Sequence, residues 1–464
     1  MSVRSRALAA GALCVLAARA PAQQGGEFLG IDPAAAGRAG VDLAIAEGPL
    51  SIGTNPAGLA FLPTRALDVA ARLFFSQVDY RNGGAHEESV DRLDLAPLLG
   101  IAWPSAFGPV AAGVAFFPEQ GYRGKIRLRT EAQAGPGATP PSERIPLETS
   151  SYTFAASPAL AVRVSDSLAF GLAGIVETTS LEVDGFTEQP VGLFAGEVFP
   201  GITFGDFLSS SGFTVFQSDY RLDARGGPSF ALRVGALWKP APGWSVGATY
   251  RSPSTRADLH GDITVDMSNQ FGDPGFDRFF PDGRTGHYDV DVKGYRLPQS
   301  AGAGIAWEPS AGWRLGADVR WVDWSAAFDE LRFELDDGDN AGFNTVIGDD
   351  GFEIDFPLRW RDLWAGAIGV ERRLEDGWTL RGGFAANTNP VPDRTASVYA
   401  PAFSRYHAAV GASKRLGGAE FHAAYLHSFR EEVRVGQSGV ASDFDGSRVS
   451  VSVDSLVLGI SVTF

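Results

Sequence analysis

Leu67-Asp68-Val69-Ala70-Ala71-Arg72-Leu73-Phe74-Phe75 decides the fold class. In an extended chain successive side chains point to opposite faces, so Leu67, Val69, Ala71, Leu73 and Phe75 share one face and Asp68, Ala70, Arg72 and Phe74 the other. The end of the chain repeats the pattern, with Leu456, Leu458, Ile460, Val462 and Phe464 alternating with Ser455, Val457, Gly459, Ser461 and Thr463. One greasy face backed by a small or polar one is what a strand between lipid and an aqueous lumen requires. Residues 151–164, 167–179, 230–239, 244–250, 313–321, 364–372, 378–384 and 406–414 behave alike.

The connectors fall into two alternating classes. Short turns rich in Gly, Pro, Asp and Ser lie at 165–166, 240–243, 309–312, 375–377 and 417–418. Long polar or mixed loops lie at 79–96, 119–150, 183–220, 269–296, 326–357, 389–404 and 431–447. These breaks predict an all-β, antiparallel transmembrane barrel of about fourteen strands, an even number as in single-chain outer-membrane barrels. The sheet must close, because lipid offers no partner to an open edge. Trp238, Trp244, Trp307, Trp313 and Trp378 flank the short turns, where an aromatic girdle belongs.

Ahead of the first strand stand two further pieces. Arg4 and Arg6, an apolar run over 7–18 and Ala20-Pro21-Ala22 have the layout of a secretory signal, so residues 1–22 are expected to be removed. That run is about a dozen residues, short of the roughly 20 that a spanning helix needs. Residues 23–65 lack alternation yet carry Phe28, Leu43, Leu50, Ile52 and Leu59 around the turn Asn55-Pro56-Ala57, too apolar a set for a free tail. They are predicted to be a plug, or hatch, inside a barrel formed by 66–464.

Composition narrows function. The chain has 39 basic and 55 acidic residues, a net charge of -16. Without Arg4, Arg6 and Arg19 the basic count is 36 and the charge 36 - 55 = -19. So acidic a surface argues against nucleic acid as a partner. The one cysteine, Cys14, lies in the expected signal, which leaves no thiol for disulfides or metal. The six histidines form no HExxH pair and no Gly-x-Ser-x-Gly elbow is present, so neither a cofactor, a metal site nor a catalytic residue is expected. The acidic stretch 336–340 lacks the ordered ligands of an EF-hand and reads as a solvated loop. A water-filled porin and an outer-membrane acyl hydrolase remain as rival readings.

Gly37-Arg38-Ala39, Ala44, Glu47 and Asn55-Pro56-Ala57 resemble the N-terminal hatch of the FadL-type long-chain fatty-acid and hydrocarbon transporters. The likeness continues in Thr249-Tyr250-Arg251-Ser252, Leu297-Pro298, Trp321 and Trp324, Trp378 to Ala385, Pro390-Val391-Pro392, Arg405-Tyr406 and Tyr425-Leu426-His427. It implies a fourteen-stranded, hatch-plugged monomer of the Gram-negative outer membrane that passes hydrophobic molecules without energy input. It also implies a lateral exit at an inward kink of the third strand. The terminal Phe464 looks like the signal that such proteins show their assembly machinery.

Candidate residues follow. Loop 183–220 is unexpectedly apolar, and Phe194, Phe199, Phe204 and Phe207, with Phe279 and Phe280 of the next long loop, are candidates for the groove where ligand first lands. The same side chains are also suited to packing on each other or on lipopolysaccharide acyl chains. A fatty-acid carboxylate in the lumen needs a cation, for which Arg72, Arg251, Arg332 and Arg381 are candidates. Where the fatty-acid transporters carry basic residues just past the fifth strand, this chain has Leu181-Glu182-Val183-Asp184-Gly185, which leaves room for neutral hydrocarbons. Gly113 and Pro118 in the third strand and Pro158 in the fourth mark the expected weak place in the wall, since neither residue type supports a ladder.

Overall fold

The computed structural model describes residues 23–24, 26–82, 85–88, 94–128 and 145–464. The expected signal and Cys14 lie outside the described residues. The strands are β1 (Ala66–Asn82), β2 (Asp94–Phe107), β3 (Val110–Leu128), β4 (Ile145–Arg163), β5 (Leu168–Pro190) and β6 (Val215–Ala241). Four broken strands follow: β7 (Trp244–Arg251, Ala257–Asp266), β8 (Thr285–Tyr295, Ser300–Ser310), β9 (Trp313–Val322, Glu330–Asp336) and β10 (Phe352–Pro357, Leu363–Arg373). β11 (Trp378–Asn387), β12 (Tyr406–Leu416), β13 (Ala419–Arg434) and β14 (Arg448–Thr463) complete the wall. Each pairs antiparallel with its neighbour, and β14 returns to β1 in unbroken register from Thr463↔Ala66 to Arg448↔Arg81. The result is a closed barrel of 14 strands. No helix among the described residues is long and apolar enough to cross a membrane.

Alternation along the strands sorts the side chains. On β1, Val69 is 44% exposed on the outside while Asp68, Arg72 and Phe74 are buried inside. Leu232, Val234, Ile368, Val410 and Leu458 continue the outer apolar surface. Trp244 stacks on Trp307 beside the short turns, with ring centroids 5.4 Å apart.

The strands run further into the long connections than the polarity of those connections suggests. Residues 119–128 and 145–150 belong to β3 and β4, and 183–190 and 215–220 to β5 and β6. Beyond the apolar band the alternation persists, but charge replaces the outer apolar residue: Glu182, Arg221, Asp223 and Asp262 are exposed while Leu181, Val183, Leu222 and Ile263 between them are buried. A wall standing in water on its outer side needs no grease there, so period two survives while hydropathy falls.

Residues 26–65 pack against the inner face of this wall. They form the short helix α1 (Pro33–Gly37), capped by Asp32, whose carboxylate accepts from Ala34 N–H at 2.7 Å and Ala35 N–H at 2.8 Å. Two single-turn 3-10 segments follow, Pro49–Gly53 and Pro56–Phe61. Glycines on the strands admit this backbone: a Cβ on Gly247 would stand 1.8 Å from Leu43 O, and one on Gly171 2.4 Å from Ala57 N. At such contacts no other residue fits without displacing main chain.

Candidate functional site

Three layers lie along the axis, and the layer nearest the short turns is the seat of residues 26–65. Asn55 sits at its centre: its Nδ2 donates to Leu43 O at 2.8 Å and to Ala236 O of β6 at 3.0 Å, while its Oδ1 accepts from Ala57 N–H at 3.2 Å. The Asp318 carboxylate of β9 accepts from Asp42 N–H and Leu43 N–H at 2.8 and 3.0 Å. The strongest charge contact is at Glu371 of β10, which takes Arg38 at 2.9 Å, Arg381 at 2.9 Å, Arg373 at 3.1 Å and Arg314 at 3.6 Å. The pairs with Arg38 and Arg381 are buried and hydrogen-bonded, the condition under which removing one member is costly. Phe28 packs on Phe74 of β1 at 5.6 Å and lies over the Arg72 guanidinium at 5.3 Å.

Of the four arginines expected to offer a lumen cation, Arg251 is committed to Glu177, with Pro298 O at 2.7 Å, and Arg381 to Glu371. Arg332 faces away from the lumen, exposed at the long-loop end and paired with Asp355 at 2.9 Å, because it falls on the outer phase of β9 between the buried Leu331 and the half-buried Phe333. The lumen placement of Arg332 is therefore corrected. Arg72 is fully buried, and its Nη2 donates to Leu29 O at 3.1 Å and to Gly30 O, with no carboxylate among the described residues in hydrogen-bonding reach. Arg72 thus holds the hatch turn, while Arg251 and Arg381 neutralise carboxylates inside the wall.

At the opposite end, residues 191–214 fold into a compact unit on helix α2 (Phe204–Ser210). Thr203 and Asp206 form a capping box there, and the Thr203 hydroxyl holds the Asp206 carboxyl below its ordinary range. Phe194 and Phe204 are wholly buried, 5.2 Å apart, and Phe204 touches Phe279 at 4.8 Å and Phe280 at 5.9 Å. The six candidate aromatics thus come together, but most of them face each other. Phe199, 40% exposed, and half-buried Phe207 are the two that still face outward, with Ile202 and Val215 beside them. Arg278 lies over Phe279 at 4.5 Å and over Phe199 at 5.5 Å.

Between these layers is a chamber that sequence reasoning missed. It is lined by Gln189, Phe216, Ser218, Tyr220, Leu222, Ile263, Val265 and Met267, faced by Phe333, Phe352, Ile354 and Phe356. None of these residues carries a charge. Phe216 stacks against Phe194 at 4.3 Å, which links the chamber to the aromatic unit above it. The signal was present as inward alternation along 216–222, 263–267 and 352–356, but every lining residue except Leu222, Ile263, Val265 and Met267 falls in a stretch that reads as loop.

Gly113, Pro118 and Pro158 lie beside interruptions of the ladders around β3 and β4. Gly113 turns inward, where a Cβ would meet Ile52 and Leu59 at 3.0 and 3.2 Å. The β2–β3 ladder stops at Leu99↔Phe116, and at Gln120 it is the N-terminal segment that pairs with β3, through Glu27. Register shifts between Pro118 and Gln120 on the β4 side, and Pro158, opposite Val114, falls in a gap of the β4–β5 ladder between Ala156 and Ala159.

Residues 27–464 match the model of the family described as outer membrane protein transport protein (OMPP1/FadL/TodX). The chain belongs to this family. The long-chain fatty acid transport protein of Escherichia coli O6:H1 is 25% identical to this FadL/TodX-family chain over 229 residues, 47% of the chain. That match spans less than half, 46%, of the relative's own length. Among solved structures, a FadL homologue of Pseudomonas aeruginosa has a TM-score of 0.73 at 18% identity, over 96% of this chain and 100% of that one. The toluene transporter TodX of Pseudomonas putida gives 0.71 at 17% identity, over 95% and 100%. The toluene transporter TbuX of Ralstonia pickettii gives 0.68 at 18% identity, over 94% and 99%. At these identities the solved structures speak for the fold, the plugged barrel described above.

Proposed function

We propose that this barrel is a passive channel for uptake of hydrophobic small molecules across the outer membrane, with neutral hydrocarbons favoured over fatty acids. The observation that carries the reading is the uncharged chamber beneath the aromatic unit. An ionised carboxylate there would be buried without a partner, at a cost of several kcal/mol, whereas an alkyl chain or aromatic ring gains about 25 cal/mol for each Å² removed from water. Of the buried arginines nearer the hatch, Arg381, Arg233 and Arg251 are held by Glu371, Glu119 and Glu177, and Arg72 is engaged by the hatch main chain at Leu29 O and Gly30 O.

In this reading ligand lands on Phe199 and Phe207, enters the chamber, and leaves sideways where β3 parts from β2, once the hatch shifts. The mature chain starts at Gln23, residues 23–65 act as the hatch and 66–464 as the barrel. Lipopolysaccharide surrounds the long-loop end, and the assembly machinery recognises Phe464, which is 60% exposed. The protein works as a monomer.

Native mass spectrometry of protein purified in mild detergent is expected to find an apolar, uncharged molecule bound. Phe199→Ser with Phe207→Ser is expected to slow uptake of alkylbenzenes into proteoliposomes about thirtyfold, since each half-exposed ring forfeits roughly 1 kcal/mol of contact. Unchanged uptake removes the patch from the route, and uptake of fatty acids alone reverses the ligand preference.

A further inference from the structure

Residues 388–405 connect β11 to β12 at the long-loop end, yet Val391, Ala396, Val398, Tyr399 and Phe403 are buried. The segment runs into the barrel. Its two ends are clamped by Asn387, whose N–H donates to Arg405 O at 2.9 Å and whose Nδ2 donates to Ser404 O at 2.9 Å and Thr388 O at 3.0 Å. With both amide hydrogens used, Asn387 Oδ1 accepts from His407 Nε2 at 2.8 Å, and His407 Nδ1 accepts from the Ser428 hydroxyl at 2.6 Å. From this clamp the chain reaches β3 and β5 on the far side of the lumen. A Cβ on Gly124 would stand 2.6 Å from Val398 O, and one on Gly185 2.5 Å from Tyr399 Oη.

Tyr399 completes the crossing. Its hydroxyl accepts from Phe186 N–H at 3.0 Å and donates to Phe186 O at 2.9 Å, two residues beyond the last β4–β5 pair at Glu148↔Asp184. Its ring meets Phe356 of the chamber at 5.9 Å and Phe444 at 6.1 Å. The chamber is bounded by β5 to β10, whereas the weak place in the wall is at β3. Tyr399 stands between them.

We propose that residues 388–405 form an internal crossbar, and that Tyr399, latched in the notch of Gly185 and Phe186, sets the largest apolar ligand the chamber accepts and bars its passage toward β3. The proposal rests on the chamber being the ligand route. Gly185 supplies the missing Cβ that lets the hydroxyl reach main chain, and the clamp at Asn387 fixes the loop's exit angle. A tyrosine serves where a phenylalanine would not, because the two Phe186 groups would otherwise be buried without partners.

Two measurements test it, on full-length protein whose barrel is checked by its heat-dependent shift on gels. In the first, alkylbenzenes from toluene to dodecylbenzene compete for binding. Affinity is expected to rise about fourfold per methylene until the chamber is full and then level off. Tyr399→Ala should carry that rise several methylenes further, while Tyr399→Phe should leave the limit in place. In the second, Ser151→Cys, on the inner face of β4, reports maleimide arriving from outside the cell, with the parent protein as background. Labelling should quicken at least tenfold in both Tyr399→Ala and Tyr399→Phe. An unmoved chain-length limit together with unmoved labelling in a folded Tyr399→Ala protein overturns the crossbar. If wild-type protein binds none of the series, the uptake reading falls, and the labelling still decides the crossbar.

Discussion

Replacing Glu371 with glutamine is expected to unseat the hatch and give the otherwise sealed barrel a measurable ion conductance. This carboxylate holds Arg38 of the hatch and Arg314, Arg373 and Arg381 of the wall, and it is 1% exposed. A neutral amide leaves Arg38 with Asp42 at 3.4 Å and Arg381 with Glu420 at 3.9 Å as their nearest carboxylates, while Arg314 keeps Glu47 and Glu308. Removing one member of a dry, hydrogen-bonded pair costs about 3 to 5 kcal/mol. The loss falls on the hatch because the β10–β11 ladder keeps its main-chain pairing around position 371, from Ala365↔Asn387 to Arg373↔Thr379, without the carboxylate. Single-channel recording in planar bilayers reads the result. A folded Glu371→Gln barrel as silent as wild type would place the hatch's anchorage elsewhere, with Asn55 and Asp318 the remaining candidates.

Phe204→Ala is expected to collapse the aromatic unit rather than trim it. Phe204 is wholly buried and touches Phe194, Phe207, Phe271, Phe276, Phe279 and Phe280, so its ring joins the two long loops at the centre of the unit. Large-to-small changes at such positions cost about 3 to 5 kcal/mol. That exceeds what a short capping-box helix holds by itself, and residues 191–214 should become open to protease while the barrel stays intact. Alkylbenzene uptake should fall further than in the Phe199 and Phe207 double variant, because the entrance as well as the landing patch is lost. Protease resistance equal to wild type would show that the loops are held by their main-chain contacts, such as Ala195 N–H to Ile347 O at 3.1 Å.

How far the sequence was legible depended on which force acted at each place. Within the lipid band, hydropathy and period two coincide, so β1, β12 and β14 could be read almost to the residue. Above that band Glu182, Arg221 and Asp223 made β5 and β6 look like loop, because the outer phase had turned polar while the inner phase kept Leu181, Val183 and Leu222. The chamber was lost with those strand ends. The aromatic loops were found as a composition, but which rings face solvent depends on how residues 191–214 pack against 267–285, a contact between segments distant in sequence. Arg332 lies in a stretch, 326–357, that reads as loop, so its outer phase on β9 could not be seen. For Arg251 and Arg381 no local pattern reveals that Glu177 and Glu371, far along the chain, already hold them.

On the proposed reading, residues 26–65 close a cylinder whose route is apolar rather than watery. Conductance of the purified protein in a planar bilayer, with and without residues 23–62, tests it most directly. Intact protein should show no steady channels, and the shortened protein should open in steps of a size set by a 14-stranded lumen. Large, steady conductance from the intact protein would contradict the account and make this chain a water-filled porin.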